Sequence, residues 1–180
     1  MNEQEIIQLL RHHRHDWLNE VQLLLGYTSM GKLEKVQNKL QNSIAIAEQE
    51  RKLMNLNVPK TALWLISFPM HHDNIRIAYQ VDVEQVNVAA YDERIVQQCQ
   101  DIINTMNAFS SKMEFYEGNL LFGYKNQTLE IELSMTGTFD NVEQLKHVLE
   151  QSNVHKVKIE QKSDRKIHCK VTWMCSERGD

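Results

Sequence analysis

Three histidines, two arginines, an aspartate and an asparagine fall within nine residues, Arg11-His12-His13-Arg14-His15-Asp16-Trp17-Leu18-Asn19. A neutral imidazole is a competent nucleophile near physiological pH, since one ring nitrogen keeps a lone pair while the other carries the proton. Phosphoryl transfer to such a nitrogen needs a ring that projects into a partner's site for in-line attack, held on a rigid element. Arg14 and Arg11 bring positive charge that offsets phosphoryl oxygens. Asp16 is placed to orient or polarise the His15 ring, and Asn19, one turn on, to hydrogen-bond its other nitrogen. Other uses of these side chains stay open. His12 and His15, three apart, could hold a metal, although no further matched ligand pair accompanies them. Arg14 falls near the edge of the apolar face and could lie along a dimer seam.

The element that positions them is a helix. Ile6, Leu10, Trp17, Val21 and Leu24 recur at helical spacing. At about 100° per residue they gather on one side, and His15 lies on the opposite, polar side. Gln22, Asn19, Arg11 and His12 share its polar side. A second stripe, Leu33, Val36, Leu40, Ile44, Ala47 and Met54, follows the break Thr28-Ser29-Met30-Gly31-Lys32, so the two helices fold back as an antiparallel hairpin. A lone hairpin leaves one side of its stripe wet. Two hairpins paired about a twofold axis enclose it as a four-helix bundle; packing the stripe on the rest of the chain is the alternative. Pro59 marks the boundary between a hairpin domain, residues 1–58, and a second domain, residues 59–180.

Past Pro59 the pattern becomes mixed. Helices are expected over Thr61–His72, Asp92–Lys112 and Asn141–Gln151, and strands over Ile75–Val83, Leu120–Tyr124 and Thr128–Met135, the last two joined by an Asn126-Gln127 turn. Val154–Gln161 and Lys166–Met174 form a hairpin around Ser163-Asp164, and His71-His72 falls in a loop. The fold class is α+β: a helical hairpin followed by an α/β sandwich, one sheet covered by helices. A net charge of −4 in 180 residues gives no long basic face for nucleic acid. The acidic start, Met-Asn-Glu-Gln-Glu, is unlike a secretory signal, and Ala62–Met70 is far short of the roughly 20 apolar residues of a membrane span. Three cysteines without a CxxC pair suit a reducing compartment. The expected location is the cytoplasm.

Arg14-His15-Asp16-Trp17-Leu18-Asn19 closely resembles the phosphoacceptor helix of the sporulation initiation phosphotransferases, relay proteins of Bacillus-type phosphorelays. It also fits the histidine-kinase pattern of His, an acidic residue, two variable positions, then Asn or Thr. Gln22-Leu23, Gly26, Leu56-Asn57 before proline, and Ala90-Tyr91-Asp92 ahead of a long helix extend the likeness over most of the chain. The resemblance implies a homodimeric four-helix bundle with His15 outside, and a carboxy-terminal domain similar to a degenerate histidine-kinase ATPase domain. It implies that His15 takes phosphoryl from the aspartyl phosphate of one response regulator and gives it to the aspartate of a second, with Arg14, Asp16 and Asn19 in support. Ile103-Asn104-Thr105-Met106-Asn107-Ala108 looks like a worn kinase asparagine box, with Asn107 in place and Ile103 where an asparagine should stand. Met135-Thr136-Gly137-Thr138-Phe139 replaces Asp-x-Gly-x-Gly without its aspartate or second glycine. No intrinsic cofactor or metal site is therefore expected, magnesium being held by the partner's receiver domain. A soluble ATP-dependent histidine kinase and a dimeric scaffold that binds regulators without transfer are the competing readings.

Overall fold

Asn2 starts the chain's first element by capping it. Its side-chain oxygen accepts from the Glu5 backbone amide at 2.9 Å, and the Glu5 carboxylate accepts from the Asn2 amide at 2.9 Å, so two otherwise orphaned donors at the helix start are satisfied reciprocally. The computed structural model describes residues 2–83, 86–126, 128–151, 156–163 and 166–175. Its first helix, α1, is Glu3–Ser29, and α2 is Leu33–Asn55. The turn between them is closed by Gly31 at φ +66°, a left-handed conformation that a Cβ disfavours. Lys32 N donates to Tyr27 O at 2.9 Å and Gly31 N to Thr28 O at 3.0 Å, the paired bonds of a glycine-terminated helix. Lys39 Nζ, on α2, reaches Glu20 Oε1, on α1, at 2.7 Å and ties the two helices together.

The chain divides into two compact units, Met1–Glu50 and Arg51–Asp180. The division falls inside α2, because Leu53 and Leu56 are fully buried in the core of the second unit. In the first unit the stripe stays uncovered. No residue of α1 is buried, and Ile6, Leu10, Trp17 and Val21 are all exposed; Leu24 and Val36 are half-buried. Among the described residues no helix is long and apolar enough to cross a membrane.

The second unit is a five-stranded sheet of order β1-β2-β3-β5-β4. Its strands are β1 (Ile75–Asp82), β2 (Tyr116–Lys125), β3 (Thr128–Gly137), β4 (Lys156–Gln161) and β5 (Ile167–Cys175). Only β1 and β2 run parallel; the other neighbours are antiparallel. Helices α3 (Pro59–His71), α4 (Asp92–Ala108) and α5 (Val142–Glu150) accompany it. Alternation along the strands sends Leu129, Ile131, Leu133 and Met135 of β3 and Ile167, Cys169, Val171 and Trp173 of β5 into one core. The opposite positions are polar except Met174, with Lys170 paired to Glu132 at 2.8 Å. Cys99, Cys169 and Cys175 are all buried and unpaired. Burial pushes the Cys169 thiol up to about 12 and raises the other two.

The expected elements are present, with shifts that tertiary contacts explain. The second strand, β2, begins at Tyr116 rather than Leu120, because Glu117-Gly118-Asn119 is drawn into the ladder by β1, Ile75 facing Tyr116. Helix α4 stops at Ala108 rather than Lys112; the Ser110 hydroxyl donates to the Asn107 carbonyl at 2.9 Å and ends it. Asn126 takes φ +52° in the β2–β3 turn; Gln127, Val154 and Asp164 lie outside the described residues. His71 closes α3 instead of lying in a loop, and the His72 ring stacks on Phe68 at 4.1 Å.

One glycine is dictated by packing. A Cβ on Gly137 would overlap the ring of Tyr116, which is fully buried and donates its hydroxyl to Thr138 O at 2.5 Å. Gly137→Ala should therefore lower stability by about 3 kcal/mol in urea unfolding, as overpacking of a rigid core does.

Two histidines of this unit couple it to pH. His72 is held below its ordinary value of 6.5 by burial and then by His71, and His168 by burial and then by Lys162 and Lys170. His168 Nδ1 also lies 2.8 Å from Thr136 Oγ1. The unfolded chain then binds protons that the native state refuses, so stability is full above pH 6.5 and falls as pH drops below it. The urea midpoint should decrease between pH 7.5 and 5.5, and a His72→Phe, His168→Asn pair should flatten that slope.

Candidate functional site

His15 sits in the middle of α1 with its side chain 71% exposed. Helical spacing separates it from the apolar stripe, and no capping or turn chemistry intervenes near it. Its Nδ1 lies 3.2 Å from Asp16 Oδ1 and 3.3 Å from Asn19 Nδ2. Asn19 therefore approaches the same nitrogen as Asp16, not the other one. The reason is geometric: a side chain one turn towards the carboxy terminus lies beneath the near edge of the ring.

These contacts choose between two tautomers. If Nδ1 carries the proton, it donates to the Asp16 carboxylate and Nε2 holds the lone pair. If Nε2 carries it, Nδ1 accepts from the Asn19 amide and Nε2 is no longer nucleophilic. A carboxylate accepts more strongly than a neutral amide donates, so the first arrangement is favoured. Asp16 has a second partner as well. Its Oδ2 lies 3.3 Å from His12 Nε2, one turn back. Arg11 and Arg14 are exposed on the same helix. Among the described residues no group of three or more His, Cys, Asp or Glu is arranged to hold a metal ion.

Residues 1–56 match the family model described as the alpha-helical domain of SpoOB-type sensor kinases. Residues 57–173 match that of sporulation initiation phosphotransferase B, C-terminal. The chain belongs to this family. A relative of the sporulation initiation phosphotransferase B family, the protein of that name from Bacillus subtilis, is 34% identical over 91 residues, which are 51% of this chain and 47% of the relative. The match thus spans about half of the relative's length. Solved structures of lower similarity are histidine kinases. One is the catalytic domain of ThkA, with a TM-score of 0.42 and 13% identity, covering 68% of this chain and 91% of that one. Another is AdeS of Acinetobacter baumannii, with a TM-score of 0.41 and 11% identity, covering 88% and 96%.

In this chain, the two segments that resemble worn kinase boxes have other employment. Asn107 is exposed at the end of α4, where its side-chain oxygen accepts from the Ser110 hydroxyl at 3.1 Å. Ile103 and Met106 of the same segment are buried. Gly137 lies against the Tyr116 ring, as above. In the sequence His12 had its place on the polar side and its spacing of three from His15; its link to Asp16 needed side-chain rotamers that spacing alone does not specify.

Proposed function

We propose that this chain is a cytoplasmic phosphorelay enzyme in which His15 accepts phosphoryl from the aspartyl phosphate of one response regulator and passes it to the aspartate of a second. The observation that carries the reading is the ring that is 71% exposed and whose Nδ1 is engaged by Asp16 at 3.2 Å, which makes Nε2 the nitrogen left to attack. The Nε2 lone pair attacks phosphorus in line. The bond from phosphorus to the acyl oxygen breaks, and its electron pair leaves with the regulator's carboxylate. The ring becomes a phosphoimidazolium, its retained Nδ1 proton shared with Asp16, and the reverse sequence delivers phosphoryl onward. Arg14 offsets charge on the moving group. Magnesium belongs to the receiver's acidic pocket.

The uncovered stripe supports a dimer. Trp17, Leu10 and Leu25 are each more than half exposed in the single chain, and a second hairpin would bury them as a four-helix bundle with His15 outside. Family membership supports a role in sporulation signalling. The Tyr116 ring against Gly137 supports transfer without an ATP site of the chain's own.

The test is labelling by a panel of receiver domains carrying radioactive aspartyl phosphate. The expected product is an acid-labile, base-stable phosphoprotein formed within minutes. Labelling by ATP alone, with no receiver present, would replace this reading with that of a kinase. Stable receiver binding with no transfer in either direction would reduce the chain to a scaffold.

A further inference from the structure

Asp16 stands between two imidazoles. Its Oδ2 is 3.3 Å from His12 Nε2 and its Oδ1 is 3.2 Å from His15 Nδ1, while Asn19 Nδ2, 3.3 Å away, competes for the same His15 nitrogen. Resting on the acceptor reading above, we infer that His12 is a positioning residue: it pins the Asp16 carboxylate so that His15 holds its proton on Nδ1 and presents a bare Nε2.

The argument is one of rotational freedom. All three side chains are substantially exposed, His12 at 45%, Asp16 at 58% and His15 at 71%. A carboxylate on a helix surface turns freely about its terminal torsion and shares its acceptor sites with water. An N–H donor fixed four residues earlier occupies one oxygen and fixes the plane of the group, which aims the other oxygen at His15. Without it Asp16 spends part of its time turned away, and the Asn19 amide can then donate to Nδ1. That shift carries the proton to Nε2 and removes the nucleophile. In this assignment His12 acts through Asp16, the group its Nε2 lies against.

A small donor isolates this effect from partner docking. Phosphoramidate, a zwitterion near neutral pH, presents phosphorus to Nε2. The new nitrogen–phosphorus bond forms as the old one breaks, and ammonia departs with the electron pair. The rate at which His15 alone is modified is read by peptide mass spectrometry on the full-length protein. His12→Leu is expected to slow this step about fivefold, the size of a lost orienting hydrogen bond of about 1 kcal/mol. His12→Gln, which keeps an N–H at the same reach, should restore at least half of the rate. In an Asp16→Asn background, His12→Leu should have no further effect, because the two act in series. An unchanged rate in His12→Leu, failure of glutamine to rescue, or a full additive loss in the Asp16→Asn background would each overturn the assignment. The acceptor reading fails separately, if receiver domains label His15→Ala as well as they label the unsubstituted chain.

Discussion

His15→Ala is expected to reduce phosphoryl uptake from receiver domains to background, a loss of at least about a thousandfold, since the nucleophile itself is gone and nothing else occupies its place. The closest chemical substitute, His12, has its Nε2 turned to Asp16, and His13 lies about 200° around the helix from His15. His13→Ala should therefore keep nearly full activity and serves as the matched control. Because His15 is 71% exposed, its loss should change stability by less than about 0.5 kcal/mol. Unfolding curves and solution mass should match those of the unsubstituted chain. Substantial labelling of His15→Ala would place the acceptor elsewhere.

The largest structural effect is expected at Asp92. Its carboxylate accepts from Lys60 N, Thr61 N and Thr61 Oγ1, each at 2.8 Å, and it is 7% exposed. Those amides belong to the first turn of α3, where Val58 provides no side-chain cap. Asp92 also opens α4, so one negative charge meets the positive ends of two helices. Asp92→Ala leaves buried donors without acceptors and should destabilise the chain by about 3 kcal/mol. Asp92→Asn retains one accepting oxygen and should recover about half of that. Thermal unfolding followed by circular dichroism measures both, and a loss under 1 kcal/mol in Asp92→Ala would show that water replaces the carboxylate at no penalty.

Asp92 also illustrates where sequence reading stops. Its position after Ala90-Tyr91 reads as the start of its own helix, which it is. That it caps a different helix, starting 33 residues earlier, is a tertiary fact with no local signature. The hairpin was legible because each of its signals is local: helical spacing of Leu10, Trp17 and Val21, and a glycine where the chain needs positive φ. The placement of His15 on the solvent side follows from the same spacing. Long-range pairing was less legible. Gly118 and Asn119 have poor strand propensity, and only the ladder to β1 explains why the strand includes them. Asn19's choice of ring nitrogen likewise depends on side-chain direction rather than separation along the chain.

The three native thiols lie within the second unit's core, and burial disfavours the ionised form of each. A cysteine introduced on the exposed part of α1 would consequently be the one fast-reacting sulfur in the molecule, with no need to delete the others first. A fluorophore attached there would report in real time the arrival of any receiver domain that docks on this helix. Placed instead on the apolar stripe, the same single sulfur would cross-link to its twin only if two copies meet there, so a gel band would test the proposed bundle and its alignment.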